Sequence, residues 1–262
     1  MAARFTAVEI SRALDLPEDG STGEFSSVST DTRSLHPGAL FVALQGERFD
    51  GADFVEQAER MGAAGAVVSA SAAAPAVSFP VFPVADTTVA LGDLARYYRR
   101  RCGARVVGVT GSSGKTTVKE MLALAVGSER PVHATEGNLN NQVGLPLSVL
   151  GAEEDAAVWV LELGTSEPGE IRRLTSIAEP DDAVITTVGA AHLEGLGDVP
   201  GVLEEKLDLL RGASTAGCAV VGELPKELPA AAREVRSDVI VSGLGPDCEF
   251  RPSAWDVGST WA

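Results

Sequence analysis

The sequence lacks a basic excess. Its 262 residues carry 21 lysines and arginines against 37 aspartates and glutamates, a formal net charge of -16, so the broad positive field by which proteins hold DNA or RNA is missing. Nucleic acid is not an expected partner. Paired cysteines are lacking too: Cys102, Cys218 and Cys248 are odd in number, far apart and without a C-x-x-C spacing, which argues against a disulfide frame or a cysteine metal site and for buried free thiols in a reducing cytoplasm. A secretory leader is not indicated, because Arg4 and Glu9 stand where its apolar stretch would lie. Residues 61–85 include no charge, yet Pro75, Pro80 and Pro83 interrupt them, so two short strands over 66–68 and 81–84 are expected there rather than a membrane span. The expected location is the cytoplasm. Internal repeats and long low-complexity tracts are also absent.

What is present suits a folded chain: 45% hydrophobic and 22% charged residues can bury a real core, and this length suits two α/β units. Helical spacing of apolar residues marks 7–16 and 53–61, and a short apolar run at 40–44 follows Pro37-Gly38. The stretch 87–101 places Leu91, Leu94, Ala95 and Tyr98 on one helical face behind a cap at Asp86 or Thr87. Arg99, Arg100 and Arg101 at its end read as a solvated helix terminus, where cations are favoured. A new unit starts near Arg105 with the strand Val106-Val107-Gly108-Val109-Thr110. The expected domains are therefore 1–101 and 102–262. Further apolar runs at 158–161 and 183–185, each followed by a helical pattern, predict a mainly parallel sheet covered on both faces.

Thr110-Gly111-Ser112-Ser113-Gly114-Lys115-Thr116-Thr117 lies between that strand and a helix, the setting of a phosphate-binding loop. Glycines let the backbone approach phosphate oxygens, and the amides of Gly111, Ser112, Ser113, Gly114 and the helix start donate to them. Lys115 would neutralise the β and γ phosphates, and the Thr116 hydroxyl would ligate magnesium. The strict G-x-x-x-x-G-K-[ST] pattern is missed by one residue, Val109. The plainer alternative is a glycine turn with an exposed lysine. Ligands of open parallel sheets bind beyond the carboxyl ends of the strands, and Glu162 and His192 both follow such ends. Glu162 is a hard-oxygen candidate for magnesium, whereas a loop histidine is as often an ordinary surface residue.

The stretch from Val107 to Met121 resembles the nucleotide loop of the Mur ligase family, in particular its MurF type. Other blocks agree: Gly137-Asn138-Leu139-Asn140-Asn141-Gln142-Val143-Gly144-Leu145-Pro146, Glu162-Leu163-Gly164 with Gly169-Glu170-Ile171, and Ala191-His192-Leu193-Glu194-Gly195-Leu196-Gly197 with Lys206. In the first hundred residues Thr30-Asp31-Thr32-Arg33 and the run from Leu40 through Glu47, Arg48, Phe49 and Asp50 to Gly51 resemble the UDP-sugar-binding half. The resemblance implies an N-terminal α/β domain for UDP-sugar-peptide, followed by a P-loop ATPase domain. It implies ATP with two magnesium ions, and amide formation through an acyl phosphate between UDP-N-acetylmuramoyl-tripeptide and D-alanyl-D-alanine. Matching positions for substrate are Thr30, Asp31, Thr32, Arg33, Asp50, Asn138 and Asn141; for nucleotide, Gly111 to Thr117; for metal, Thr116, Glu162, His192 and Lys206. Lys115, His192 and Lys206 take the catalytic roles.

Read from the residues alone, Lys206 is a solvated helix lysine paired with Glu205 or Asp208. The resemblance instead implies a lysine carbamylated by carbon dioxide, an anion able to bind magnesium. Two departures stand out. The family's C-terminal domain is expected to be missing from this chain, so that a downstream segment or separate chain would supply it. Where the family has Asn-x-Asp-Asp after a strand, this sequence reads Gly222-Glu223-Leu224-Pro225-Lys226. Two other readings stay open: a nucleotide-binding module without turnover, and a related ligase such as folylpolyglutamate synthase. The block at Thr30 to Arg33 with Asp50 favours a UDP-sugar over a pterin.

Overall fold

The computed structural model describes residues 3–18, 20, 22–46 and 50–252. Glu47, Arg48 and Phe49 of the block quoted above lie outside the described residues. The chain opens with strand β1 (Phe5–Thr6) and helix α1 (Ala7–Ala13), entered through a capping box in which Thr6 and Glu9 satisfy each other's backbone N–H groups. Helix α1 stops short of the expected residue 16 because Asp15 turns to φ +52, outside helical space. Strand β2 (Glu24–Phe25) pairs antiparallel with β1.

The first parallel sheet follows. Strands β3 (Val28–Ser29), β4 (Leu40–Val42), β5 (Gly65–Ser69) and β6 (Val81–Val84) lie in that order, with helix α2 (Val55–Arg60) in the crossover between β4 and β5. Residues 61–85 thus hold the two expected strands. Among the described residues no helix is long and apolar enough to cross a membrane.

Helix α3 (Thr87–Arg101) joins this sheet to the next. Asp86 caps it by accepting from Thr88 N at 2.7 Å and Val89 N at 2.9 Å, and Leu91, Leu94, Ala95 and Tyr98 are buried as their spacing predicts. Tyr98 stacks on Trp159 with ring centroids 6.0 Å apart and donates to Ala152 O at 2.7 Å. One contiguous core therefore runs from Phe5 and Leu40 through this pair to Leu209. The arginine run is the solvated terminus expected at Arg100 and Arg101, which are exposed, but not at Arg99. Arg99 is sequestered, donating to Ala178 O, Glu179 O and Asp181 at 3.0 to 3.1 Å; Arg100 pairs with Glu179, and Arg101 with Glu9 and Glu154. Their partners are distant in sequence, and the carbonyls Arg99 reaches are those a helix end leaves open.

The second sheet is built from β7 (Arg105–Thr110), α4 (Lys115–Gly127), β8 (Val132–Ala134), α5 (Gly144–Gly151), β9 (Val158–Glu162), α6 (Glu170–Ala178), β10 (Asp182–Ile185), α7 (Leu193–Leu196), α8 (Val199–Gly212), β11 (Ala219–Gly222), α9 (Glu227–Val235) and β12 (Ile240–Ser242). Its order, β12-β11-β10-β7-β9-β8, is parallel throughout. The chain leaves β7 toward β9 on one side and returns through β10 on the other. A crevice is expected at the carboxyl end of β7, where the order reverses. Of the three cysteines, Cys102 and Cys248 are buried, but Cys218 is exposed. It lies just ahead of β11, where its N–H donates to Asp182 at 2.7 Å.

Candidate nucleotide and metal site

Strand β7 ends at Thr110, and the chain turns through Gly111 to Gly114 into α4. Gly114 takes φ +79 and offers no side-chain cap, while the first backbone bond of the helix runs from Val118 N to Gly114 O at 2.9 Å. The N–H groups of Lys115, Thr116 and Thr117 thus have no acceptor one turn back, which leaves a donor set and a positive helix end for an anion. Gly111 has no room for a side chain: a Cβ there would collide with Thr186 Oγ1. The loop is braced from β10, since Ser112 N donates to Thr187 O at 2.8 Å and Ser113 pairs with the Thr187 hydroxyl at 3.0 Å. Lys115 folds back over the loop, its Nζ donating to Gly111 O at 3.0 Å.

Glu162 closes β9 and is buried. Its Oε2 accepts from Thr116 Oγ1 at 2.9 Å and its Oε1 from Asn140 Nδ2 at 2.7 Å. A hydroxyl and a carboxylate in contact beside open helix amides match the hard-oxygen donors that magnesium takes. Asn140 is absent from the expected site residues. It sits within the asparagine-rich block, but nothing in the sequence marks which of its three asparagines turns toward Glu162. Asn141 instead caps α5, accepting from Val143 N and Gly144 N at 3.1 and 2.8 Å, and Asn138 is exposed with its carbonyl accepting from Asn140 N at 2.7 Å.

Lys206 lies on α8 and is only 2% exposed. The partners expected for it are engaged elsewhere. Glu205 accepts from Gly169 N and Ile171 N, both at 2.7 Å, at the start of α6, and Asp208 pairs with Arg172 and Arg211. Burial, reinforced by the Lys115 ammonium, lowers the Lys206 amine from 10.5 to about 8. His192 follows β10 and is exposed, with φ +54 at the start of α7. Among the described residues its imidazole makes no hydrogen bond, so a hydrogen bond joins Thr116 to Glu162 and none joins His192 to either.

The substrate positions expected near the N-terminus split in two. Thr30, Asp31, Thr32 and Arg33 line one cleft together with Phe41, Leu44 and Phe54, a mix of polar and apolar surface suited to a small ligand. Within it the Arg33 guanidinium holds the Asp31 carboxyl down at about 2. Asp50 shapes the neighbouring turn, capping it by accepting from Ala52 N at 2.9 Å.

Comparison with known proteins then decides the family. The Mur ligase middle domain matches residues 109–250, and the Mur ligase family catalytic domain matches residues 24–99. The chain belongs to the Mur ligase family. Over 199 residues it is 45% identical to the UDP-N-acetylmuramoyl-tripeptide–D-alanyl-D-alanine ligase of Bacillus subtilis, covering 76% of this chain and 44% of that one. The same ligase of Escherichia coli is 42% identical over 202 residues, 77% of this chain and 44% of its own. The crystal structure of MurF from Acinetobacter baumannii superposes with a TM-score of 0.85 at 33% identity, covering 93% of this chain and 54% of that one. MurF from Thermotoga maritima, solved in complex with ADP, gives 0.77 at 35% identity over 83% of this chain and 50% of that one. This Mur ligase homologue spans about half the length of the relatives it matches.

Proposed function

We propose that the chain forms the nucleotide- and UDP-sugar-peptide-binding part of a cytoplasmic, ATP- and magnesium-dependent amide ligase of peptidoglycan precursor synthesis, which adds D-alanyl-D-alanine to UDP-N-acetylmuramoyl-tripeptide. The observation that carries this is the contact of Thr116 with Glu162 beside the uncapped P-loop helix, in a chain 45% identical to that ligase. The terminal carboxylate of the peptide attacks the γ-phosphorus of ATP. The bond from that phosphorus to the bridging oxygen breaks, and ADP leaves with the electron pair. The amine then attacks the acyl phosphate carbon, phosphate departs, and the amine proton is lost. Such chemistry needs positioning and charge neutralisation above all. Lys115 and the open amides of Lys115, Thr116 and Thr117 hold the phosphates, against which the turn from Gly111 to Gly114 lies, and Thr116 and Glu162 are placed to hold magnesium. Magnesium, when bound, neutralises charge on the transferred phosphate.

Lys206 fits a carbamate. With its amine near 8 and, among the described residues, no carboxylate hydrogen-bonded to it, a fraction of about a tenth is neutral at pH 7 and can attack carbon dioxide. Loss of a proton leaves an anion with oxygen donors, replacing a buried cation. His192, with its imidazole unengaged, is assigned with it to a second magnesium. Thr30 to Arg33 receive the UDP-sugar, with Asp50 shaping the adjoining turn and Asn138 and Asn141 bordering the peptide end. Turnover is assigned to the longer form the relatives have, where a further segment or chain closes the site. With ATP, magnesium and both substrates, the 262-residue chain is expected to yield no D-alanyl-D-alanine amide by chromatography. Product at an ordinary turnover rate would show that these residues suffice.

A further inference from the structure

Lys119 is the one fully buried residue of α4 and is 0% exposed. The helix covers its sheet with Val118, Leu122 and Val126, so an apolar side chain at 119 would complete the packing without the cost of sequestering an ammonium. The lysine is directed elsewhere. Its Nζ donates to Thr135 O at 2.5 Å and pairs with Glu120 at 2.9 Å. Thr135 directly follows β8, and its hydroxyl accepts from Glu162 N at 3.0 Å. The Glu162 carboxylate in turn accepts from Thr116 Oγ1, and residues three apart share a helix face, which returns the path to α4 one turn before Lys119. Lys119, Thr135, Glu162 and Thr116 thus form a closed ring joining one helix to the carboxyl ends of two strands.

We propose that Lys119 is a positioning residue, a buried strut that fixes the ends of β8 and β9 against α4 and so sets where the Glu162 carboxylate meets Thr116. This rests on the reading of Glu162 and Thr116 as the magnesium-facing pair. Phosphate contacts come from Lys115 and the open amides at the start of α4, whose N–H groups the ring does not use, so Lys119 acts on the metal's contribution and not on the nucleotide's own grip. Thr135 is the second member of the strut, because its carbonyl takes the lysine and its hydroxyl takes the Glu162 amide.

The test is calorimetry of a non-hydrolysable ATP analogue on the 262-residue chain, with and without magnesium. The quantity read is the factor by which magnesium strengthens nucleotide binding. Lys119→Met should reduce that factor about tenfold while changing magnesium-free affinity less than about twofold, the loss expected for a hydrogen bond to a charged group. Thr135→Val keeps the carbonyl but removes the hydroxyl, and should act in the same direction. It also decides the matter if Lys119→Met does not fold. Manganese in place of magnesium, followed by electron paramagnetic resonance, should show an altered bound-metal spectrum in both variants. Glu162→Gln separates the strut from the magnesium-facing pair. If it abolishes the magnesium factor while Lys119→Met and Thr135→Val keep it, the strut is wrong and the metal pair stands. If all three keep it, the metal pair itself is wrong.

Discussion

Lys115→Ala should weaken binding of ATP with magnesium by roughly a hundredfold, as expected when a close charge pair of about 3 kcal/mol is lost. The loop glycines and the brace from Thr186 and Thr187 do not depend on this side chain, whose one hydrogen bond among the described residues is to Gly111 O. The variant should therefore fold with unchanged thermal stability and retain the cleft at Thr30 to Arg33. That separation is what makes the result informative. Unchanged triphosphate affinity by calorimetry would remove Lys115 from the nucleotide site.

Lys206→Ala, in a form carrying the full length of the relatives, should reduce amide formation by about a hundredfold or more, the scale of losing an electrostatic group at a reacting phosphate. Formate or acetate should restore part of it by supplying the missing carboxylate. Full activity of the variant without added carboxylate would refute the carbamate. A second signature comes from the bare amine in buffer free of carbon dioxide. Because its value falls from 10.5 in the unfolded chain to about 8 when folded, the unfolded state holds the proton longer as pH rises. Stability should then increase between about pH 8 and 10.5, by up to about 3 kcal/mol. Lys206→Met should lack that increase, so the difference between the two denaturation profiles reads this one group.

The parts of the site that are contiguous in sequence were legible there. The P-loop announces itself because strand, glycines, lysine and threonines follow one another, and α3 because its cap and buried face sit in one stretch. The place of Glu162 on the same sheet edge as the P-loop was legible because it follows an apolar run in an expected parallel sheet, while its neighbourhood to β7 came only with the strand order. What could not be read depends on partners brought in by folding. Arg99 looks like any cation at a helix end until α6 places Ala178 O, Glu179 O and Asp181 against it. Lys206 looks solvated until Glu205 is seen capping α6 and Asp208 binding two arginines. Asn140 is indistinguishable from its neighbours before the loop closes, and Lys119 reads as one more helix lysine. Cys218 fails as a buried thiol because it falls on the rim ahead of β11.

The departure at Gly222 to Lys226 has a definite structural outcome. Glu223 accepts from Leu244 N and Gly245 N at 2.8 and 2.9 Å, with the Cys248 thiol also donating to it. Leu224 stays connected to the β10 side, its carbonyl accepting from Val188 N at 3.2 Å, and its side chain is exposed. The loop at this strand end is thus held by backbone bonds, with its one carboxylate already satisfied.

The proposed pairing puts a nucleotide site at the end of β7 and a UDP-sugar-peptide cleft at Thr30 to Arg33 in one chain. It is tested most directly by equilibrium binding of UDP-N-acetylmuramoyl-tripeptide to the 262-residue chain, set against a folate under the same conditions. The account predicts saturable binding of the UDP-linked peptide, weakened at least about tenfold by Arg33→Ala through loss of one charged contact, and no binding of the folate. Folate binding without the UDP-peptide, or UDP-peptide binding indifferent to Arg33, would contradict it.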